Sequence, residues 1–163
     1  MAKRKTLDER LDQYGAGKGL RLFHNSRYML NMRVKKKVNQ ILQYEYKYFI
    51  TFTLKDDYLT RDKNYLMRKI KEALSQASLY IANEDYGSKH GRLHFHALAS
   101  FNFQLDYTIP DNFVNQIWKY GNIDYLKVYD SNDTAIAKYL TKLTNHAIKT
   151  TAGRIVYSRG FIS

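Results

Sequence analysis

The chain has 163 residues, no cysteine, and 27 Lys/Arg against 15 Asp/Glu, for a net charge of +12. A disulfide framework and a cysteine-type zinc site are excluded, and no apolar run reaches the roughly 18 residues of a membrane-spanning helix. The length suits one domain with a real core, and a start of Met1-Ala2-Lys3-Arg4-Lys5 does not read as a signal peptide, so a soluble, cytoplasmic protein is expected.

A basic excess of this size makes a polyanion, most simply nucleic acid, the expected partner. The excess is uneven: residues 1–47 hold 12 Lys/Arg and 4 Asp/Glu, or +8 of the total. Fifteen tyrosines suit stacking on unpaired bases, although Tyr is also a good strand former. Residues 1–25 scatter Gly15, Gly17 and Gly19 among charges with little periodicity, which predicts an extended or partly ordered basic arm ahead of a single domain over 26–163. Over 26–45, Leu30, Val34, Val38 and Ile41 recur at helical spacing while Arg33, Lys35, Lys36 and Lys37 crowd the other faces. Such a helix either lies along a phosphate backbone or merely caps a sheet.

Residues 46–54 alternate, with Tyr48, Ile50, Phe52 and Leu54 on one face and Thr51 and Thr53 on the other, the pattern of a half-buried strand. The two threonines are read first as good strand formers and second as the floor of a site. Leu66, Ile70, Ala73, Leu74 and Ala77 predict a helix over 63–78. A hairpin follows, with strands over 79–86 and 92–101 around a turn at 87–91. Pro110 opens a short helix that turns Phe113, Ile117 and Trp118 inward and stops at Gly121; residues 122–129 return as a strand. Asp130 to Asp133 offer caps for a helix running to about Lys149, and residues 154–163 make a last strand. Strands interleaved with helices around a hairpin indicate an α+β fold on a largely antiparallel sheet. There is no repeat and no phosphate-binding Gly-x-x-x-x-Gly-Lys loop.

The second hairpin strand reads Leu93-His94-Phe95-His96-Ala97-Leu98-Ala99, which sets His94 and His96 side by side on one face, opposite Leu93, Phe95, Ala97 and Ala99. Two imidazoles need a third ligand to hold a divalent metal, and the neighbouring strand offers Glu84 and Asp85. Alternation favours Glu84, which shares a face with Tyr80 and Ala82, whereas Asp85 shares one with the apolar Leu79 and Ile81. Mixed N/O ligands suit Mn²⁺ or Mg²⁺, though imidazole also accepts zinc or nickel. Further on, Ile136, Leu140, Leu143 and Ala147 form one helical stripe, and Ala135, Tyr139, Lys142 and His146 the next. Tyr139 thus falls at the margin of a packed face with Lys142 one turn on, a phenol beside an ammonium. The plain reading of this pair is an amphipathic ring and a solvated cation.

Together, Tyr48-Phe49-Ile50-Thr51-Phe52-Thr53-Leu54, His94-Phe95-His96 and Tyr139-Leu140-Thr141-Lys142 resemble, in that order, the replication initiators of the HUH endonuclease superfamily, over roughly residues 46–145. Asp85-Tyr86-Gly87 with Gly91-Arg92-Leu93-His94 is similar to the Glu-Tyr-Gly and Gly-Arg-Pro-His pattern of small single-stranded DNA phage initiators. The resemblance implies a central antiparallel sheet of about five strands flanked by helices, the ferredoxin-like palm of RRM type. It implies metal held by His94 and His96 with Asp85, given a bulge near the turn, and Glu84 as the alternate. Tyr139 would be the nucleophile that nicks origin DNA and keeps the 5′-phosphate, and Lys142 would position or neutralise that phosphate. A 3′-hydroxyl would be left for host polymerase and helicase, and the ends later rejoined. Arg33, Lys35, Lys36, Lys37 and Arg92 are the candidate DNA contacts. Many phage initiators carry a second tyrosine where this chain has Leu143, which points to a single-tyrosine initiator. Tyr157-Ser158-Arg159-Gly160 also resembles the end of the phage-type domain.

The nearest rival is a single-strand transposase of the HUH-tyrosine kind, which usually carries Gln where this chain has Lys142. A conjugative relaxase fits less well, since its tyrosines commonly precede the histidine motif. From another class, a non-catalytic single-stranded DNA-binding protein would use the same basic and aromatic surfaces without metal. Oligomeric state, monomer or weak dimer, is open on sequence grounds.

Overall fold

The structure is a computed structural model that describes residues 5–87, 91–105, 118–129, 136, 140 and 155–163. Among these, helices α1 (Leu7–Tyr14), α2 (Ala16–Leu42) and α3 (Lys63–Ala73) flank strands β1 (Tyr46–Phe52), β2 (Leu79–Tyr86), β3 (Leu93–Phe101), β4 (Ile123–Lys127) and β5 (Ile155–Tyr157). The strands form one sheet in the order β4-β1-β3-β2-β5, every neighbouring pair antiparallel. The α+β architecture is therefore the expected one. Of the helices expected after Pro110 and near residue 140, nearly all lies outside the described residues. Ile136 and Leu140 are helical, and Leu140 is fully buried.

Both faces of the sheet are covered. On one, Tyr48, Ile50 and Phe52 of β1 and Phe95, Ala97, Ala99 and Phe101 of β3 join Leu66, Met67, Ile70 and Ala73 of α3 in a single core. Each large side chain fully buried there contributes about 1.5–3 kcal/mol, which is why the period-two pattern of these strands is so regular. On the other face, Leu30, Val34, Val38, Ile41 and Leu42 of α2 lie on Leu79, Ile81 and Leu98. The C-terminal segment is tied to α2 as well, through hydrogen bonds between the Gln40 side chain and the backbone of Ile162 at 2.8 Å.

The N-terminal stretch corrects the expectation of an extended arm, because residues 7–14 and the chain from Ala16 onward are helical. Helix α1 starts in a capping box: the Thr6 hydroxyl accepts from Glu9 N at 3.2 Å, and Thr6 N donates to the Glu9 carboxylate at 2.7 Å. Gly15 turns the chain with φ +78°, a conformation L side chains rarely adopt. Gly19 then lets α2 lie against α1, where a Cβ would fall 2.6 Å from the Arg10 carbonyl oxygen. Glycines that look like a flexible linker in sequence are the corner and the contact point of a helical hairpin.

Candidate metal centre

Strands β2 and β3 pair without interruption from Leu79↔Ser100 to Tyr86↔Leu93. Directly paired residues share a face, so Asp85 faces His94, Asn83 faces His96, and Glu84 faces Phe95 on the opposite side. Asp85 thus joins the histidines with no bulge, and Glu84, also buried, lies on the α3 side. The alternation argument for Glu84 is overturned because Leu79 and Ile81 do share the face of Asp85. That face is apolar where α2 covers it and polar beyond.

Asp85 Oδ2 lies 3.5 Å from His94 Nε2 and 3.3 Å from His96 Nε2, and the two Nε2 atoms are 3.1 Å apart. Among the described residues these three form the group of possible metal-ligating side chains. Each is held from behind. The other carboxylate oxygen, Asp85 Oδ1, accepts from Tyr86 N at 2.9 Å. His94 Nδ1 donates to the Arg92 carbonyl at 3.0 Å, and since a carbonyl only accepts, Nε2 is left with its lone pair. His96 Nδ1 meets the Thr51 hydroxyl at 3.2 Å, and the His96 ring lies against Phe49 with centroids 5.3 Å apart. Asp85 and His96 are almost fully buried and His94 is partly open, so the group is closed on the protein side and approachable at one corner.

Three electron-rich atoms this close repel unless a cation lies among them. A metal with bonds of about 2.1 Å needs donors about 3.0 to 3.4 Å apart, for octahedral and tetrahedral angles respectively, and the observed triangle matches that range. Second-shell groups on both Nδ1 atoms are the arrangement that fixes the tautomer of ligating histidines. The residues fit a divalent ion with two imidazoles, one carboxylate and open positions.

Residues 47–144 match the family model of replication-associated proteins of the ORF2 kind, more than half of the chain. The chain belongs to this family. The matched region of this replication-associated protein contains β1 to β4 and all three residues of the triangle. A similar relative is the replication-associated protein VP4 of Bdellovibrio phage phiMH2K, 26% identical over 146 residues, which cover 72% of this chain and 46% of that protein. The chain thus spans less than half the length of this relative. Among solved structures, the hypothetical protein ORF119 from Sulfolobus islandicus rod-shaped virus 1 superposes with a TM-score of 0.47 at 23% identity, over 66% of this chain and 90% of that one.

Tyr139 and Lys142 lie outside the described residues. On α2, Arg33 and Lys36 are exposed, whereas the Lys37 ammonium sits over the rings of Tyr157 and Phe161 at 5.0 and 4.5 Å. Arg92 pairs with Asp56 at 2.7 Å and donates to the Leu54 carbonyl at 2.5 Å. These two contacts border an open pocket of about 430 Å³ lined by Thr53, Lys55, Gly121 and Asn122 as well. Among the described residues no helix is long and apolar enough to cross a membrane. Sequence reasoning missed Thr51 as a partner of His96 and the Arg92 carbonyl as a partner of His94. Thr51 is findable only once β1 is placed beside β3 in the register Thr51↔His96, which alternation alone does not set.

Proposed function

We propose that this chain is a rolling-circle replication initiator of the HUH endonuclease kind, which nicks and rejoins single-stranded DNA at an origin. The observation that carries the reading is the buried Asp85/His94/His96 triangle in a chain of a replication-associated family. A divalent cation, Mn²⁺ or Mg²⁺, held there would polarise a scissile phosphate oxygen and neutralise charge that builds up in the transition state. Asp85, His94 and His96 bind it, while Thr51 and the Arg92 carbonyl keep both imidazoles in the ligating tautomer.

Tyr139 is the proposed nucleophile. Its phenolic oxygen bonds to phosphorus as the bond to the 3′ oxygen breaks; the phenol proton leaves to solvent and the departing oxygen is protonated to a 3′-hydroxyl. A phenol of pKa near 10 is a weak nucleophile at neutral pH, so the Lys142 ammonium, as a charge beside the phosphate, assists. One phosphate ester replaces another, so a 3′-hydroxyl can attack the phosphotyrosine and reseal the strand. Arg33, Lys35 and Lys36 of α2, with Arg92, bind the DNA backbone, and host helicase and polymerase extend the freed end. The whole acts as a single endonuclease domain into which the α1–α2 hairpin is built.

Labelled single-stranded oligonucleotides spanning the element's own origin test this on a denaturing gel. The expected result is a protein-DNA adduct that needs Mn²⁺ or Mg²⁺, disappears with EDTA, and is absent for Tyr139→Phe, which still binds DNA. An adduct that persists in Tyr139→Phe moves the nucleophile elsewhere, with Tyr157 next. Tight binding without cleavage under any metal replaces the nuclease by a single-stranded DNA-binding protein.

A further inference from the structure

The triangle has a neighbour that no part of the reaction above uses. Asn83 is 2% exposed, and its side-chain oxygen Oδ1 is fully buried without a hydrogen-bond partner. Buried polar atoms almost always find a partner, so an orphaned one calls for a cause. Its surroundings on the sheet supply one. Along β2, the residues on its face are Ile81 and Asp85; across the strands they are His96 on β3 and Ile155 on β5. Ile81 and Ile155 offer an amide oxygen nothing. Asp85 is an acceptor like itself, and the His96 Nδ1 faces Thr51 while its Nε2 faces the triangle. The group that satisfies this oxygen is therefore a cation shared with Asp85 and His96.

We infer that Asn83 is a fourth donor of the metal centre, a neutral amide oxygen that binds the same divalent ion as Asp85, His94 and His96. The inference rests on the metal reading above and narrows it. Amide carbonyls are hard oxygen ligands of the type that Mg²⁺, Mn²⁺ and Ca²⁺ prefer, so the fourth donor shifts the centre away from the zinc that two imidazoles alone would favour. The charge count is unchanged by a neutral ligand, which leaves the site a net charge of its own to meet a phosphate.

Calorimetric titration of Mn²⁺ and Zn²⁺ into the full chain tests it, with thermal melting in EDTA as the second readout. Asn83→Leu keeps the volume and removes the oxygen. Mn²⁺ binding is expected to weaken about tenfold, zinc binding to weaken less, and the melting temperature in EDTA not to fall, because an orphaned polar atom has been removed. Asn83→Asp, with a charged oxygen at the same place, is expected to bind Mn²⁺ more tightly than the wild type. Asn83→Leu that binds Mn²⁺ as the wild type does, or that only melts earlier in EDTA with affinity intact, assigns Asn83 a structural role and overturns the inference. Asn83→Asp no tighter than wild type overturns it too. If instead the wild type itself takes up no Mn²⁺ and matches His94→Ala, the centre as a whole falls, a result distinct from failure at Asn83 alone.

Discussion

The two faces of the sheet are built from the same strands and do different work. Under α3 the face is apolar from end to end, with Tyr48, Ile50 and Phe52 beside Phe101, Ala99, Ala97 and Phe95. Under α2 it changes character part-way along: Phe49, Leu98 and Ile81 make one row of core, and the next row is Thr51, His96 and Asn83, followed by His94 and Asp85. All three strands make the change at the same level. A face that is half core and half site lets a packed helix hold the backbone rigid beneath ligands that must stay within a few tenths of an ångström.

That contrast breaks most plainly on the α3 side. Phe95 is fully buried and alternates with the two histidines, so Phe95→Ala is expected to cost about 3–5 kcal/mol, read as a lower denaturation midpoint in guanidinium with or without metal. Asp85→Ala, one row away on the other face, should behave in the opposite manner. Stability in EDTA is expected to be kept, since three repelling donors become two. The gain from Mn²⁺, about 2.7 kcal/mol at a hundredfold excess over Kd for the wild type, is expected to vanish from paired thermal melts. Equal destabilisation of Asp85→Ala with and without metal would make the triangle structural.

A finer cut separates the ligands from the groups behind them. Thr51→Val preserves shape and strand preference and removes only the hydroxyl at His96 Nδ1. Mn²⁺ affinity measured by titration is expected to fall about tenfold, near 1.4 kcal/mol, while stability in EDTA moves by less than about 0.5 kcal/mol.

The same contrast explains what the sequence made legible. Where one face is wholly apolar, as in 46–54 and 93–101, alternation sets element, length and inward residues, and the hairpin that carries His94 and His96 follows from its turn. Alternation fails at Asp85 because it assumes a face is of one kind throughout; only the helix α2 lying over Leu79 and Ile81 makes them core while leaving Asp85 beyond its cover. The α1–α2 hairpin was hidden for another reason. Its helix-forming residues are charged and partly exposed, so little periodicity shows, although Thr6 and Glu9 spell a capping box. Thr51 and Asn83 are invisible as site residues until register is known, since their partners are 45 and 13 positions away.

The smallest expected effect concerns Arg92, whose two halves serve different purposes. Its carbonyl fixes the His94 tautomer, and its side chain reaches Asp56 and the Leu54 carbonyl at the rim of the pocket. The ion pair is about half exposed on the arginine side and more so on the aspartate, so losing it in Arg92→Ala is expected to cost only about 0.5 kcal/mol. The carbonyl survives that substitution, so the Mn²⁺-induced rise in melting temperature should be unchanged. If the guanidinium also meets a DNA phosphate, the slope of log affinity for single-stranded DNA against log salt is expected to shrink by about 0.7, one contact's worth. A loss of the metal response in Arg92→Ala would mean instead that the backbone at the start of β3 is held by its side chain, so that the rim contacts and the metal centre are one structure.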